Sequence, residues 1–397
     1  MKNKRFYFDY AATTPVDPGV VRAMQPYYSR IFGNPGSIHK FGQEASAAVF
    51  KARNAISKFI NCDYREIIFT GSATEANNLA IIGVVKNFIS KNKVKPRIIT
   101  SQIEHESVLE TCKDLEKENL AEVVYLPVSK DGIIDLKKLK SFLNERTVLV
   151  SIMYANNEVG SIQPIKEISE IIKEFKIKHS KLKNSETFFP LFHTDAAQAF
   201  NYVDCDVKSL GIDMMTLSSQ KIYGPKGVGL LYIKNFGSFF GEKFISPVIF
   251  GGGQEEGLRS GTENVPGIIG FSDAVKISFD LRKKESQRLF KLQQYFLGKL
   301  KNFNFVLNGP KIGEKRLPNN INIYFSGKKD LIFKLDMAGF SVSAGSACSA
   351  RMAKPSHVLK SMGFSDEKAS ESLRISFGRQ TDKESIDKLF SVIKNIL

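Results

Sequence analysis

Residues 216–229, TLSSQKIYGPKGVG, decide how the chain is to be read. A run ending in small hydroxylated residues delivers a single lysine, Lys221, into a loop that turns through Gly224, Pro225 and Gly227. DMMTLSS before it and VGLLYIK after it read as strands, so the amine stands at a strand end. Its neighbours Ser218, Ser219, Gln220 and Ile222 carry no charge, and only Lys226 is close. Such a lysine can be desolvated, which lowers its pKa and frees its lone pair for Schiff-base chemistry. Taken alone, Lys221 reads better as an ordinary loop lysine, and the rest of the chain has to decide.

Working outward from that stretch, short apolar runs alternate with longer amphipathic ones from residue 64 onward. EIIFT (66–70) leads into a helix to about Ile89, RIIT (97–100) into one over about 106–119, and EVVYLPV (122–128) into one over 135–144. VLVSIMYA (148–155) leads into a helix from Pro164 to about Phe175, and FPLFHTDA (189–196) into a short one near 206–210. This spacing predicts an α/β fold with a mostly parallel sheet covered on both faces. A long helical region from about Asn264 to Asn302 then leads to a smaller α+β unit that ends in a helix. The expected division is a large domain, 16–264, and a small domain formed by 1–15 with 265–397. The first fifteen residues, extended and apolar, are expected to pack against the second unit. FKIKHSKLKNSETFF (175–189) reads as an exposed polar insertion.

At 397 residues the chain exceeds what one core usually serves, which agrees with two units. A hydrophobic content of 42% and no run near ~20 apolar residues indicate a soluble protein, without a membrane role. MKNKRFYFDYAATTP has no apolar core of signal length, so the expected compartment is the cytoplasm. Cys62, Cys112, Cys205 and Cys348 are too scattered for a metal site or a disulfide framework. The net charge of +16 would suit an acidic partner, but the lysines are spread out, and nucleic-acid binding is not expected.

In open α/β sheets ligands sit beyond the carboxyl ends of the strands, so the residues that follow each run carry the information. After EIIFT come Gly71, Ser72, Ala73 and Thr74; after RIITSQI, Glu104 and His105; after SIMYA, Asn156, Asn157 and Glu158. After PLFHT come Asp195 and Gln198, and after TLSSQ, Lys221. Any one of these can be a cap or a turn, but five in a row describe a site. A helix start with Ser72 and Thr74 is a phosphate site. Asp195 at the end of an apolar strand needs a cation, and a protonated pyridine nitrogen is one. His105 can lie flat against an aromatic ring, Asn156 can bond a ring hydroxyl, and Lys221 can close a Schiff base. The set matches pyridoxal 5′-phosphate.

The motifs DYAATTP (9–15), FGNPGSIHKFG (32–42), FTGSATEANNLA (69–80), NNEVG (156–160), HTDAAQ (193–198), KIYGPKG (221–227), GGGQE (251–255), LRSGTENV (258–265), SAGSACS (343–349) and LRISFGR (373–379) resemble those of the group I cysteine desulfurases of the class V aminotransferase family. The resemblance runs from about residue 6 to 395. It implies a homodimeric fold-type I pyridoxal-phosphate enzyme with a mostly parallel seven-stranded sheet. Such an enzyme takes sulfur from L-cysteine, leaves L-alanine and hands the sulfur as a protein persulfide to an acceptor such as an iron–sulfur scaffold or a thio-modification protein. By position, Lys221 matches the Schiff-base lysine, His105 the ring-stacking histidine, Asp195 the pyridinium partner and Gln198 the ring-hydroxyl neighbour. Ala73, Thr74 and Ser218 match phosphate ligands, and Thr262 the threonine that reaches the phosphate from the other subunit. Asn34, Asn156 and Arg374 match the groups that hold the substrate carboxylate, for which the planar fork of Arg374 is suited.

Cys348 matches the persulfide-forming nucleophile. Gly345 and its small neighbours allow the loop to move, and Arg351, Lys354 and His357 favour a thiolate. The other three cysteines read as inert small hydrophobes. Two departures stand out. Gln220 occupies the place of a histidine that binds phosphate, so cofactor affinity is lowered or a nearby cation compensates. The chain also stops close to its last helix, without the tail by which group I enzymes often meet a scaffold, which leaves the acceptor open. Selenocysteine lyase or aminotransferase activity would use the same cofactor residues, and a non-catalytic basic interaction protein is a further alternative.

Overall fold

The computed structural model describes residues 5–183, 189–236, 244–328, 330–345 and 355–397. A seven-stranded sheet runs in the spatial order Ile67–Thr70, Gly229–Ile233, Met214–Ser218, Leu191–Asp195, Thr147–Ser151, Arg97–Ser101 and Glu122–Leu126. Gly229–Ile233 lies antiparallel to both of its neighbours, and the remaining pairs are parallel. Along these strands successive residues feed opposite faces, as a pleated strand requires. Ile67, Phe69, Val150, Phe192, Met215 and Leu230 enter one apolar layer, while Ile68, Leu149, Leu191, Met214 and Leu231 enter the other. The α/β fold with its mostly parallel seven-stranded sheet is as the sequence predicts.

The second layer is closed by the helices Ala73–Lys91 and Glu106–Lys117 through residues such as Ile81, Val84, Val108 and Leu115. The first is closed by Ile165–Lys183, by Lys40–Ile60 and by the start of the 36-residue helix Val265–Leu300. Further along that helix, Leu289, Leu292, Phe296 and Leu300 enter a separate core with Ile321, Ile323, Leu373, Ile375 and Phe377. One rigid helix thus serves both cores, and the change from one to the other is spread along it. The second core is backed by an antiparallel sheet of Leu373–Ser376, Asn320–Tyr324 and Val306–Leu307. Phe6–Tyr7 pairs in parallel with Phe340–Ser341, and Phe8 packs between Phe340 and Phe377. Among the described residues no helix is long and apolar enough to cross a membrane.

Three local outcomes differ from the sequence reading. The strand expected over 148–155 ends at Ser151; beyond it the Met153 N–H donates to the Glu104 carboxylate at 2.9 and 3.0 Å, while Ile152 and Tyr154 N–H still donate to the His193 and Asp195 carbonyls. The helix expected to stop near Phe175 runs on to Lys183, with His179 stacked on Phe175 one turn away at 4.0 Å between ring centres. Residues 184–188 of the expected insertion lie outside the described residues. Lys40–Ile60, unread in the sequence, buries an alanine-rich stripe of Ala45, Ala48, Val49, Ala52 and Ile56 and ends at Asn61 in the left-handed region.

Phe8 is 1% exposed, so truncating it leaves a hole between the N-terminal segment and the second core. Phe8→Ala should cost about 3–5 kcal/mol, read as a lowered denaturant midpoint, against under ~0.5 kcal/mol for an exposed control such as Lys51→Ala.

Candidate active site

A cavity of about 210 Å³ opens beyond the carboxyl ends of the parallel strands. Of the residues singled out in the sequence, Ala73, Thr74, His105, Asp195, Gln198, Ser218, Gln220, Lys221 and Arg374 line it. Ile67–Thr70 ends in a tight turn, after which Ser72 caps the helix Ala73–Lys91 by accepting from the Glu75 N–H at 3.1 Å. The N–H groups of Ala73 and Thr74 then have no partner within the helix and stand at its positive end. Gly229 lets the neighbouring strand lie against this start. A Cβ there would meet the Ser72 carbonyl carbon at 2.7 Å and the Ala73 nitrogen at 2.9 Å. From the outer side, Arg259 holds Glu75 at 2.7 Å.

Asp195 ends its strand 6% exposed. Its carboxylate accepts from Asn77 Nδ2 at 2.8 Å and from the Ala197 N–H at 2.9 Å, both of them neutral donors. A buried carboxylate whose two hydrogen-bond donors are neutral suits a cation in the cavity, and the ring N–H of a pyridinium is one. His105 caps the helix Glu106–Lys117, its Nδ1 accepting from the Ser107 N–H at 3.1 Å. Burial holds the imidazole below its usual range, partly offset by Asp195. A neutral imidazole beside a cationic ring avoids repulsion. The donor set therefore fits a phosphorylated pyridinium aldehyde.

Lys221 follows Met214–Ser218 through a single 3₁₀ turn, Ser219–Lys221. Its Nζ donates to the carbonyls of Ala11 at 2.8 Å and Ala12 at 2.6 Å, and Gln198 Nε2 donates to the same Ala11 oxygen at 2.9 Å. The segment DYAATTP is itself tied down: Ala11 N–H donates to Ser376 Oγ, and Thr14 N–H and Oγ1 to the Gln220 carbonyl, each near 3.0 Å. Arg374, 1% exposed, donates through Nη2 to Asp9 at 2.7 Å and through Nη1 to the Asn157 carbonyl at 3.1 Å. Its Nε is buried with no hydrogen-bond partner among the described residues, and the residue lines the cavity wall.

Three expected residues are not brought to the cavity. Asn156 was expected to bond the cofactor and the substrate, but its amide is spent on the chain. Nδ2 donates to Ile103 O and Met153 Sδ, while Oδ1 accepts from the N–H groups of Glu158 and Val159. Its neighbour Asn157 lines the cavity instead. Asn34 is exposed and accepts from Gly36 N–H, and Thr262 is exposed away from the cavity lining; within a single chain neither is part of the site. Cys348 lies outside the described residues. Conversely, Asp9, Ala11, Ala12, Asn77 and Ser107 act at the site without having been assigned a role; all but Ser107 stand inside motifs already quoted, where their spacing alone is silent about contacts.

The aminotransferase class-V family model matches residues 6–389. The chain is 43% identical, over 99% of its length and 95% of the relative, to the cysteine desulfurase IscS of Dictyoglomus turgidum. It is 43% identical over 98% of its length, and 96% of the relative, to cysteine desulfurase IscS 1 of Archaeoglobus fulgidus. Among solved structures, a NifS-like protein superposes with a TM-score of 0.87 at 36% identity, covering 99% of each chain. SspA in complex with cysteine superposes with a TM-score of 0.77 at 34% identity, over 94% of this chain and 99% of that one. The chain belongs to the class V aminotransferase family. Within it, these full-length relatives place it beside the cysteine desulfurases.

Behind the cavity, burial pushes the Glu104 carboxyl up to about 8, although Ser101 Oγ and Met153 N–H donate to it. Its folded value lies above the unfolded 4.5, so folding takes up a proton. That stabilisation is complete below the unfolded pKa and is lost as pH rises through about 8. His193, pushed down to about 4 by burial, acts in the opposite sense between about 4 and its usual 6.5. Above that range Glu104 is the one that changes: Glu104→Gln should remove a fall of about 1.4 kcal/mol per pH unit from the unfolding free energy toward pH 8. Denaturant titrations of both proteins at several pH values read this difference, and parallel curves would contradict it.

Proposed function

We infer that the protein is a cysteine desulfurase that takes sulfur from L-cysteine, releases L-alanine and holds the sulfur as a persulfide on Cys348. The observation that carries this reading is one cavity in which a helix N-terminus, a buried carboxylate with neutral partners, a neutral imidazole, a lysine and a buried arginine converge. The implied cofactor is pyridoxal 5′-phosphate, which when bound supplies an electron sink for charge developing at the substrate Cα. Ala73 and Thr74 N–H groups, the hydroxyls of Thr74 and Ser218 and the Gln220 amide would hold its phosphate, with Thr262 of a second copy adding to them. Asp195 supplies the anion for the ring nitrogen, His105 flanks the ring, and Gln198 sits beside the ring hydroxyl.

Arg374, on the cavity wall, grips the substrate carboxylate, while Asp9 keeps the guanidinium from turning. Lys221 removes the Cα proton. The Cys348 thiolate then attacks the substrate sulfur; an S–S bond forms as the Cβ–S bond breaks, its electron pair stays with Cβ, Cβ takes up a proton to become a methyl group, and Lys221 returns a proton to Cα to complete alanine. The segment that carries Cys348 starts next to the site. Ser343 and Arg374 exchange two backbone hydrogen bonds, of 2.7 and 3.1 Å, and five residues of extended chain reach on the order of 17 Å. It returns at Ser356, which donates to Glu158, and at His357, whose Nε2 lies 3.0 Å from the Glu104 carbonyl.

The working form is proposed to be a homodimer, supported by the exposed Phe32, Ile38 and Phe41, of which Ile38 is 92% exposed, on the same part of the surface as the helix Lys40–Ile60. The acceptor is proposed to be a protein of iron–sulfur cluster assembly or thio-modification in the cytoplasm.

Cys348→Ser should still bind the cofactor and shift its absorbance with L-cysteine, yet form no persulfide. Intact-protein mass spectrometry after one turnover without reductant, with an alanine count, decides this: alanine at the normal rate from the serine variant, or the extra sulfur on Cys62, Cys112 or Cys205, would exclude Cys348 as the nucleophile. Asp195→Asn should keep the fold and lower turnover by at least ~100-fold, because an amide does not hold a ring nitrogen protonated. Lys221→Ala should abolish borohydride trapping of the cofactor, and a trapped adduct on another lysine would falsify its role.

A further inference from the structure

Asn77 lies on the second turn of the helix whose N-terminus forms the anion cradle, and it is fully buried. Its Nδ2 donates to Asp195 Oδ2 at 2.8 Å and to Ser107 Oγ at 2.9 Å. The orientation of this amide follows from chemistry, since reversing it would set its carbonyl oxygen against an ionised carboxylate at the same distance. The cost is visible: Asn77 Oδ1 is buried without a hydrogen-bond partner among the described residues. A buried side chain that leaves its acceptor unsatisfied while spending both hydrogens on one carboxylate and one hydroxyl is placed for its donors.

Those donors set the direction of the next link. An amide nitrogen accepts nothing, so Ser107 Oγ is the acceptor from Asn77 and keeps its own hydrogen to give. The neighbour at 2.9 Å is His105 Nδ1, which also accepts from the Ser107 N–H at 3.1 Å. A ring nitrogen with two donors facing it carries no hydrogen, so the imidazole holds its hydrogen on Nε2. We propose that Asn77 is a positioning residue that, through a one-way relay of Asn77 to Ser107 to His105, fixes His105 as the neutral Nε2–H tautomer while it anchors the Asp195 carboxylate with its other hydrogen. The relay couples the two groups that flank the cavity, and it starts from the helix that cradles the anion. Burial, which holds His105 below its usual range, works in the same direction. The value of the relay to catalysis rests on the desulfurase reading; the tautomer itself does not.

The test uses protein labelled with ¹⁵N at its five histidines, without cofactor and at neutral pH, with His105→Gln to assign the signal. Long-range ¹H–¹⁵N spectra distinguish the two tautomers and the imidazolium. The native protein should show a protonated Nε2 and an unprotonated Nδ1 at His105. Asn77→Asp keeps the shape but replaces the donor by an acceptor, so Ser107 Oγ gives its hydrogen to the new side chain and Nδ1 is left with the Ser107 N–H as its one donor. The Nδ1 signal should then move downfield on loss of the hydroxyl donor. Adding Ser107→Ala should make the Asn77→Asp change silent at His105, because the relay is cut. Should Asn77→Asp fail to fold, Ser107→Ala alone reads the same link as a downfield move of the Nδ1 signal on loss of its hydroxyl donor. An unchanged His105 pattern in folded Asn77→Asp, or a native protein with hydrogen on Nδ1, overturns the proposal. An alanine assay with L-cysteine on the loaded protein separates the two readings: the tautomer result holding without cysteine-dependent alanine removes the desulfurase reading alone, and normal activity with an unresponsive His105 removes the relay alone.

Discussion

A carboxylate buried at the end of an apolar strand is the constraint around which this protein is arranged. Asp195 takes hydrogen bonds from two neutral donors, Asn77 and the Ala197 N–H, and a charge so placed is costly unless a cation stands near it. The parallel register that pairs Asp195 with Thr216 brings the strand of Lys221 alongside, and the 3₁₀ turn then lifts the amine over the same rim. The helix Ala73–Lys91 adds a positive end to that rim, and its second turn supplies Asn77 to Asp195. One carboxylate, one sheet register and one helix together create a place for an anionic group at one end and a cationic ring at the other.

The N-terminal segment joins this place to the second core. Phe6 pairs with Phe340, and Phe8 is packed within the second core, while Ala11 and Ala12 receive the Lys221 amine and Asp9 receives Arg374. Arg374 also donates to the Asn157 carbonyl beyond the carboxyl end of Thr147–Ser151, so its guanidinium links the N-terminal segment to the large sheet. The segment carries no regular structure beyond its short strand, yet its backbone carbonyls are among the nearest partners of the reactive amine. Backbone groups do such work without leaving a side-chain signature in the sequence.

The strands were legible because parallel strands covered on both faces read as short apolar runs, and EIIFT, RIIT and FPLFHTDA have few alternatives. His105, Asp195 and Lys221 were legible because each follows such a run, where a polar group is expensive unless it meets a ligand. Helix Lys40–Ile60 follows no strand run, and its buried face mixes the small residues Gly42, Ala45, Ala48, Ala52 and Ser57 with Val49, Ile56 and Ile60. Asn156 misled for a different reason: an asparagine after a strand can serve a ligand or tie down its own loop, and here four hydrogen bonds to the chain consume it.

The α/β architecture and the rim on which the candidate residues lie are legible in the order of residues, because burial and strand period act locally. Which groups meet those residues depends on packing: Asn77 on Asp195, Ala11 and Ala12 on Lys221, and Asp9 on Arg374 join different elements, each pair more than a hundred residues apart along the chain. Hydrogen bonds form between atoms about 3 Å apart whatever their separation along the chain, and that proximity exists only once both cores have packed.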